Sequence, residues 1–253
     1  LRIGMRLSKV DATQAQSLVA KAVASGVITS NADNVIIRHD ANYLNSIGQL
    51  LNATEANNFY LAAPFVDYLK KTSDPRLKSI AVRYVGATSG TQQTPARAVI
   101  DPAVQIGMPF GYDNSSISGP VKTLGLASFY DFSQADRTRM NKTTARAYLL
   151  TASQTNLLVA EAITKGWVSG NAKDYFDAGV KTHMDQVSEM DVNSSVSSSA
   201  VDAYLAANPF NATTALEQIN TQYWIASFLN GPEAFANFRR SGFPNLSPNP
   251  YPG

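Results

Sequence analysis

The sequence contains no cysteine and only two histidines, His39 and His183, far apart along the chain. Disulfides, thiolate metal sites and a cysteine nucleophile are thereby excluded within it, and a histidine-built zinc site lacks ligands. Charge is also scarce: 16% of residues are Asp, Glu, Lys or Arg, against about 25% in an average soluble protein. Asn, Gln, Ser and Thr must therefore carry the surface. The 21 basic and 19 acidic residues nearly cancel. No Lys/Arg stripe builds a field strong enough to steer nucleic acid, so no nucleic-acid partner is expected. Apolar runs fall well short of the roughly 18 residues of a membrane span, and the first residues lack the basic-then-apolar order of a signal peptide. No Gly-x-Ser-x-Gly elbow, His-Glu-x-x-His, phosphate loop or dinucleotide fingerprint occurs. Nothing in these motifs points to an enzyme, a metal or a cofactor.

What is present is a chain of 253 residues, 44% of them hydrophobic, enough for one well-packed domain without staples. Asp11 caps an expected helix through Leu18, Val19, Ala22 and Val23 that stops at Gly26. Leu1 to Val10 reads equally as a strand or as helix. Val35 to Arg38 and Ile80 to Val85 read as short strands, and Pro64 opens a helix that Asp74-Pro75 closes. From Gly86 to Thr138, glycines and prolines punctuate a stretch with no helical period. Its aromatics Phe110, Tyr112, Phe129, Tyr130 and Phe132 mark an ordered loop that packs or binds.

The second half is helical. Thr151 with Gln154 and Thr214 with Glu217 form capping boxes, Asn171 caps a further helix, and Pro232 opens a last one closed by Gly242. Small residues such as Ala160, Ala162 and Ala178 permit close helix approach. The expected fold is mainly α: an irregular right-handed superhelix of tetratricopeptide-like helix pairs with a long loop-rich insertion, its handedness left open by periodicity. The expected organisation is a single domain over 1–253. It comprises a helical part with short strands (1–85), a loop-rich insertion (86–138), a helical-hairpin part (139–244) and an irregular tail (245–253).

Several segments, in order, carry a resemblance: Leu1-Arg-Ile-Gly-Met-Arg-Leu-Ser-Lys-Val-Asp11, Gly26-Val-Ile-Thr-Ser-Asn-Ala-Asp33, Asp74-Pro-Arg-Leu77, Leu157-Leu-Val-Ala-Glu-Ala-Ile-Thr-Lys-Gly-Trp167 continued by Tyr175-Phe-Asp-Ala-Gly-Val180, and Gly231-Pro-Glu-Ala-Phe-Ala-Asn-Phe-Arg-Arg-Ser-Gly-Phe-Pro244. Together they resemble the SusD/RagB-like nutrient-binding outer-membrane lipoproteins, in particular their second SusD-like subgroup. Ala152 and Gln154 stand where Tyr and Glu are frequent in that family, and Phe235 where Trp is common. These changes are expected to keep a helix cap and an aromatic core residue.

The resemblance implies non-catalytic binding of oligosaccharide or another small nutrient and its delivery to a TonB-dependent outer-membrane transporter. It implies an outer-membrane address, facing the cell surface or the periplasm. A lipid anchor and further chain would lie before Leu1 and more chain after Gly253. The alternative is a module that docks against the transporter without a ligand site of its own; a glycoside hydrolase would need two convergent carboxylates, which the spacing does not supply.

With the ligand face placed on the Met108 to Phe132 loop, Tyr112, Phe129 and Tyr130 are the expected stacking residues, and Asp113 and Asn114 the readers of sugar hydroxyls. Asp113, Asp131 and Asp136 can also be weighed as calcium ligands, though solvated loop acids are the simpler reading. Trp167 and Trp224 read as core residues. Arg239 and Arg240 read as cations satisfying a helix C-terminus, and Glu161 and Glu217 as helix residues without a partner visible in the sequence.

Overall fold

Helices account for most of the ordered chain in a computed structural model that describes residues 1–53 and 59–251. The first helices are α1 (Arg2–Arg6) and α2 (Ala12–Ala24), followed by β1 (Val35–Ile37) and α3 (Ser46–Ala53). Next come α4 (Ala63–Lys71), α5 (Arg76–Ile80), β2 (Ala81–Tyr84), β3 (Ala98–Val99), α6 (Ser118–Thr123) and β4 (Gln134–Ala135). The chain continues through β5 (Ala147–Leu150), α7 (Ala152–Thr164), α8 (Ala172–Met190), α9 (Ser198–Ala207), α10 (Ala215–Ala226) and α11 (Gly231–Ser241). Residues 252–253 of the tail lie outside the described residues.

Local chemistry explains most of the helix borders. Asp11 accepts from the Gln14 amide, Thr151 from the Gln154 amide and Asn230 from the Glu233 amide, each satisfying an orphan donor at a helix start. Gly26, Gly166 and Gly242 follow helix ends in the left-handed conformation. Leu1 to Val10, which the sequence leaves open between strand and helix, is helical with a single 3₁₀ turn at Leu7–Lys9. Two expectations are corrected. The helix opened by Pro64 stops at Lys71, before Asp74, with Ser73 left-handed at φ 52°. Thr214 makes no side-chain cap, because a 3₁₀ turn capped by Asn211 runs straight into α10.

The chain divides into two compact units, each assembled from discontinuous stretches: residues 1–37, 147–186 and 208–246 in the first, and 38–146, 187–207 and 247–253 in the second. In the first unit α7 packs on α10, which packs on α11, while α1 packs on α2 and β1 pairs antiparallel with β5. Met5, Val19, Leu157, Val180, Ile219 and Tyr223 are buried there. Gly179 of α8 lies under Leu157 of α7, where a Cβ would come within 2.7 Å of the Leu157 Cγ. The Ser153 hydroxyl donates to the Gly179 carbonyl at 2.7 Å beside it.

Polar groups inside this unit are bound in networks. Glu233 accepts from Arg2 at 3.1 Å, from Arg6, and from the Tyr223 hydroxyl at 2.7 Å. Burial raises the Tyr223 pKa and keeps that hydroxyl a donor. Glu161, which showed no partner in the sequence, is held by Arg240.

The second unit is built around the sheet β3-β2-β4, antiparallel throughout, with Arg83 opposite Val99 and Ala81 opposite Ala135. Helices α4 and α5 supply Phe65, Val66, Leu69, Leu77 and Ile80 to its core. The Asp74-Pro-Arg-Leu77 segment is an ion pair folded on itself: Asp74 accepts from the Arg76 amide and Nε, both at 2.9 Å, with both side chains fully buried. The Arg76 guanidinium lies over the Tyr204 ring of α9 at 5.8 Å.

Candidate functional site

The loop-rich stretch between β3 and β4 is pinned before it reaches solvent. The Met108 amide donates to the Leu61 carbonyl at 2.8 Å, and the Ala63 amide to the Met108 carbonyl at 2.9 Å, a parallel bridge to the start of α4. The preceding Gly107 passes so close to Ala63 that a Cβ would fall 2.5 Å from its Cα. Farther along, the Ser133 amide donates to the Ile106 carbonyl, and the Ser133 hydroxyl accepts from the Ile106 amide, both at 2.8 Å. Between these clamps Ile117, Leu126 and Phe132 form a small core of the loop's own, with Tyr60, Met108, Val121 and Phe129 packed around it.

Asp131 ties the far side down. Its Oδ1 accepts from Arg83 Nε at 3.0 Å and from the Gly86 amide at 3.1 Å, its Oδ2 from the Ala127 amide at 3.1 Å, and it is buried. Asp136 is likewise buried and bound by Arg139, Nε to Oδ2 at 2.6 Å. Two of the three acids weighed as calcium ligands are thus arginine partners. Among the described residues no group of three or more His, Asp or Glu is placed to hold a metal ion.

The five sequence-derived site residues all belong to the second unit, in two places. Phe129 and Tyr130 sit on a 3₁₀ turn, Phe129–Asp131, and are half-buried. Their rings stack on each other at 4.1 Å and 29°, and Phe129 meets Tyr60 edge-on at 6.3 Å. Phe129 packs into the Ile117 cluster, whereas Tyr130 packs against Val82, Tyr84 and Ala87 of β2 and the turn after it. Both rings therefore share their faces with the fold.

Tyr112, Asp113 and Asn114 lie on the turn before α6, all exposed, with Tyr112 at 46%. Asp113 organises this turn. Its Oδ1 accepts from the Ser115 amide and hydroxyl at 3.0 and 2.7 Å and from the Ser116 amide and hydroxyl at 2.8 and 2.7 Å. The Ser115 hydroxyl first, then the Ser116 hydroxyl and amide, hold its carboxyl well below the usual carboxylate range. At neutral pH it is ionised, able to accept from a ligand but not to donate.

The sequence did not reveal the tail's place in this picture. The Tyr251 hydroxyl donates to Asp113 Oδ2 at 3.4 Å, and Pro250 fills the space that a Cβ on Gly111 would occupy, 2.5 Å from its Cγ. Only the proline-rich composition of the tail hinted at a segment laid along a surface.

Other candidates resolve differently. Arg240, expected to satisfy a helix C-terminus, is instead a buried partner of Glu161, Asn220 and Asn237. Phe235, expected in the core, is 61% exposed with Arg239 over its ring at 5.9 Å. Trp167 and Trp224 are half-buried, and Lys165 lies over the Trp167 ring at 5.5 Å. A cleft of about 610 Å³ opens in the first unit among Leu1, Ile3, Val27, Ile28, Leu150 and Leu158, and none of the five site residues lines it.

The second unit thus carries an ordered loop that exposes Tyr112 beside the hydrogen-bonded Asp113. The SusD-like family model, described as starch-binding and associating with the outer membrane, matches residues 1–253, and the chain belongs to that family. Among solved structures it is similar to a chitin-binding protein, with 28% identity and a TM-score of 0.79 over 98% of this chain and 51% of that one. A SusD homolog from Bacteroides vulgatus ATCC 8482 aligns with 25% identity and a TM-score of 0.72, covering 97% and 49% of the two chains. A chitin-binding SusD homolog from Flavobacterium johnsoniae shares the fold at 24% identity and a TM-score of 0.73, covering 98% and 50%. The chain thus spans about half the length of these structures. No curated protein matches it. None of its described helices is long and apolar enough to cross a membrane.

Proposed function

We propose that this chain takes part in non-catalytic capture of oligosaccharide at the bacterial outer membrane and in its delivery to a TonB-dependent transporter. The observation that carries the reading is the match of the whole chain to a family described as starch-binding, joined by its likeness to a chitin-binding protein. The Met108 to Phe132 loop supports it with an exposed aromatic ring, Tyr112, next to the acceptor Asp113 and the amide of Asn114. An apolar ring face suits the C–H side of a pyranose, while carboxylate and amide read its hydroxyls. Phe129 and Tyr130, half-buried, offer a ligand only the part of each ring that the fold leaves exposed. Glu161, Asp131 and Asp136 are committed to arginines, which leaves them poorly suited to act as a glycosidase acid and base.

The test is calorimetric titration of the intact protein with chitin and starch oligosaccharides, followed by assay for new reducing ends. Binding without release of reducing ends supports the reading, and failure to bind any glycan while another nutrient binds overturns it. Docking against the transporter by the first unit is a second reading, favoured by Ile3 at 77% and Val10 at 85% exposure on and after α1. Replacing both with Ser would weaken co-purification with the transporter and leave glycan titrations unchanged.

A further inference from the structure

Two tyrosines far apart in the second unit's sequence flank Asp113, one as its chain neighbour and one through a hydrogen bond. Tyr112 adjoins Asp113 in the chain, and Tyr251 reaches it through its hydroxyl at 3.4 Å; each tyrosine is 46% exposed. We propose that Tyr251 is a ligand-binding residue, pairing with Tyr112 as a two-ring platform around Asp113 that accepts neutral oligosaccharide and rejects glycans bearing uronate. The inference rests on the glycan-capture reading and specifies its site.

Three observations carry it. First, the tail is seated: Gly111, at φ 91°, lacks the Cβ that would collide with Pro250, and the Tyr251 amide donates to Asn249 Oδ1 at 3.0 Å. A close approach that needs both a glycine and a positive φ fixes Tyr251 beside the turn. Second, the two carboxylate oxygens are unequal. Oδ1 receives four hydrogen bonds from Ser115 and Ser116, whereas Oδ2 has the long contact from Tyr251. An ionised carboxylate oxygen has room for further donors, and here the donors are sugar hydroxyls or an acetamide N–H. Third, no ion pair joins Asp113 to a basic side chain among the described residues. Its negative charge is therefore presented to the ligand, which favours neutral sugars and disfavours a second carboxylate.

The experiment titrates the intact protein and three variants with chitotetraose and with trigalacturonate by calorimetry. Tyr251→Ala should weaken chitotetraose binding about tenfold with the melting temperature unchanged, the loss of one stacking face. Tyr251→Phe keeps the ring and should stay within roughly threefold of the parent. Asp113→Asn retains an acceptor for the Ser115 and Ser116 donors but removes the charge, and should narrow the preference for chitotetraose over trigalacturonate by about tenfold. If chitotetraose binds and Tyr251→Ala leaves it unchanged, the tail platform is overturned while glycan capture stands. Equal affinity of the parent for both sugars overturns the charge filter and with it the proposal. Failure of the parent to bind chitotetraose overturns both the platform and the reading beneath it.

Discussion

Arg240 and Glu161 face each other as a buried, two-pronged ion pair, with Nη1 to Oε1 at 2.6 Å and Nη2 to Oε2 at 2.7 Å. Asn220 and Asn237 complete the shell, each accepting from the guanidinium and joined to one another at 3.0 Å. The network crosses α7, α10 and α11 and fixes their mutual register. Removing one member strands the other charge. Glu161→Gln should therefore destabilise the protein by about 3 kcal/mol in denaturant titration. The double replacement Glu161→Met with Arg240→Met should recover most of that loss, because no unpaired charge is left in the interior.

Gly179 sets the spacing of α8 against α7. Its missing side chain lets Leu157 approach so closely that a Cβ would overlap the Leu157 Cγ at 2.7 Å, so Gly179→Val must push the helices apart. Overpacking of this kind costs about 1–3 kcal/mol. A fall in melting temperature without change in helical circular dichroism at 20 °C, or roughly so, is the expected outcome. A variant as stable as the parent would mean the two helices slide freely.

Asp131 is expected to be the hinge pin of the ligand-face loop. Asp131→Ala leaves Arg83 without its carboxylate and releases the Gly86 and Ala127 amides. Amide hydrogen exchange at Gly86 and Ala127 should speed up markedly, and limited proteolysis should begin within 100–133. Protection of α7 and α10 should be preserved, since those helices draw their buried polar partners from the first unit.

Asp113 predicts a flat pH profile. Its pKa is lowered from the ordinary 3.8 by the Ser115 and Ser116 donors, so its charged form, and every interaction that needs it, is complete above the ordinary value. These interactions are lost only as pH falls through the lower folded value. Affinity for a neutral glycan should hold constant between about pH 8 and pH 4. A loss centred near neutral pH would place a different titrating group at the ligand.

Short-range chemistry made much of this fold readable. A cap and its amide lie two or three residues apart, so Thr151, Asp11 and Asn171 announce their helices directly in the sequence. Thr214 misled for the same local reason: Asn211, three residues earlier, offers a competing cap and wins by starting a 3₁₀ turn. The partners of charged residues were hidden by distance along the chain. Arg240 sits where a helix C-terminus welcomes a cation, and nothing near it signals a glutamate 79 residues away. Phe235 follows an apolar-looking pattern yet faces outward, because Asn237 and Arg240 claim the buried side of α11. At the candidate site, Tyr112 and Asp113 were visible as an aromatic–polar pair within a loop. Tyr251 was not, for its link to Asp113 spans 138 residues.

Glu233 bears on how the protein comes into being. Its bonds to Arg2 and Arg6 close loops of 231 and 227 residues, so the arginines of α1 find their carboxylate only once α11 is in place. Such long-range closure is slow and leaves apolar helix faces open in the meantime. Residues at the two ends of this sequence therefore belong to one cooperative unit, and α1 gains its polar partners late in assembly.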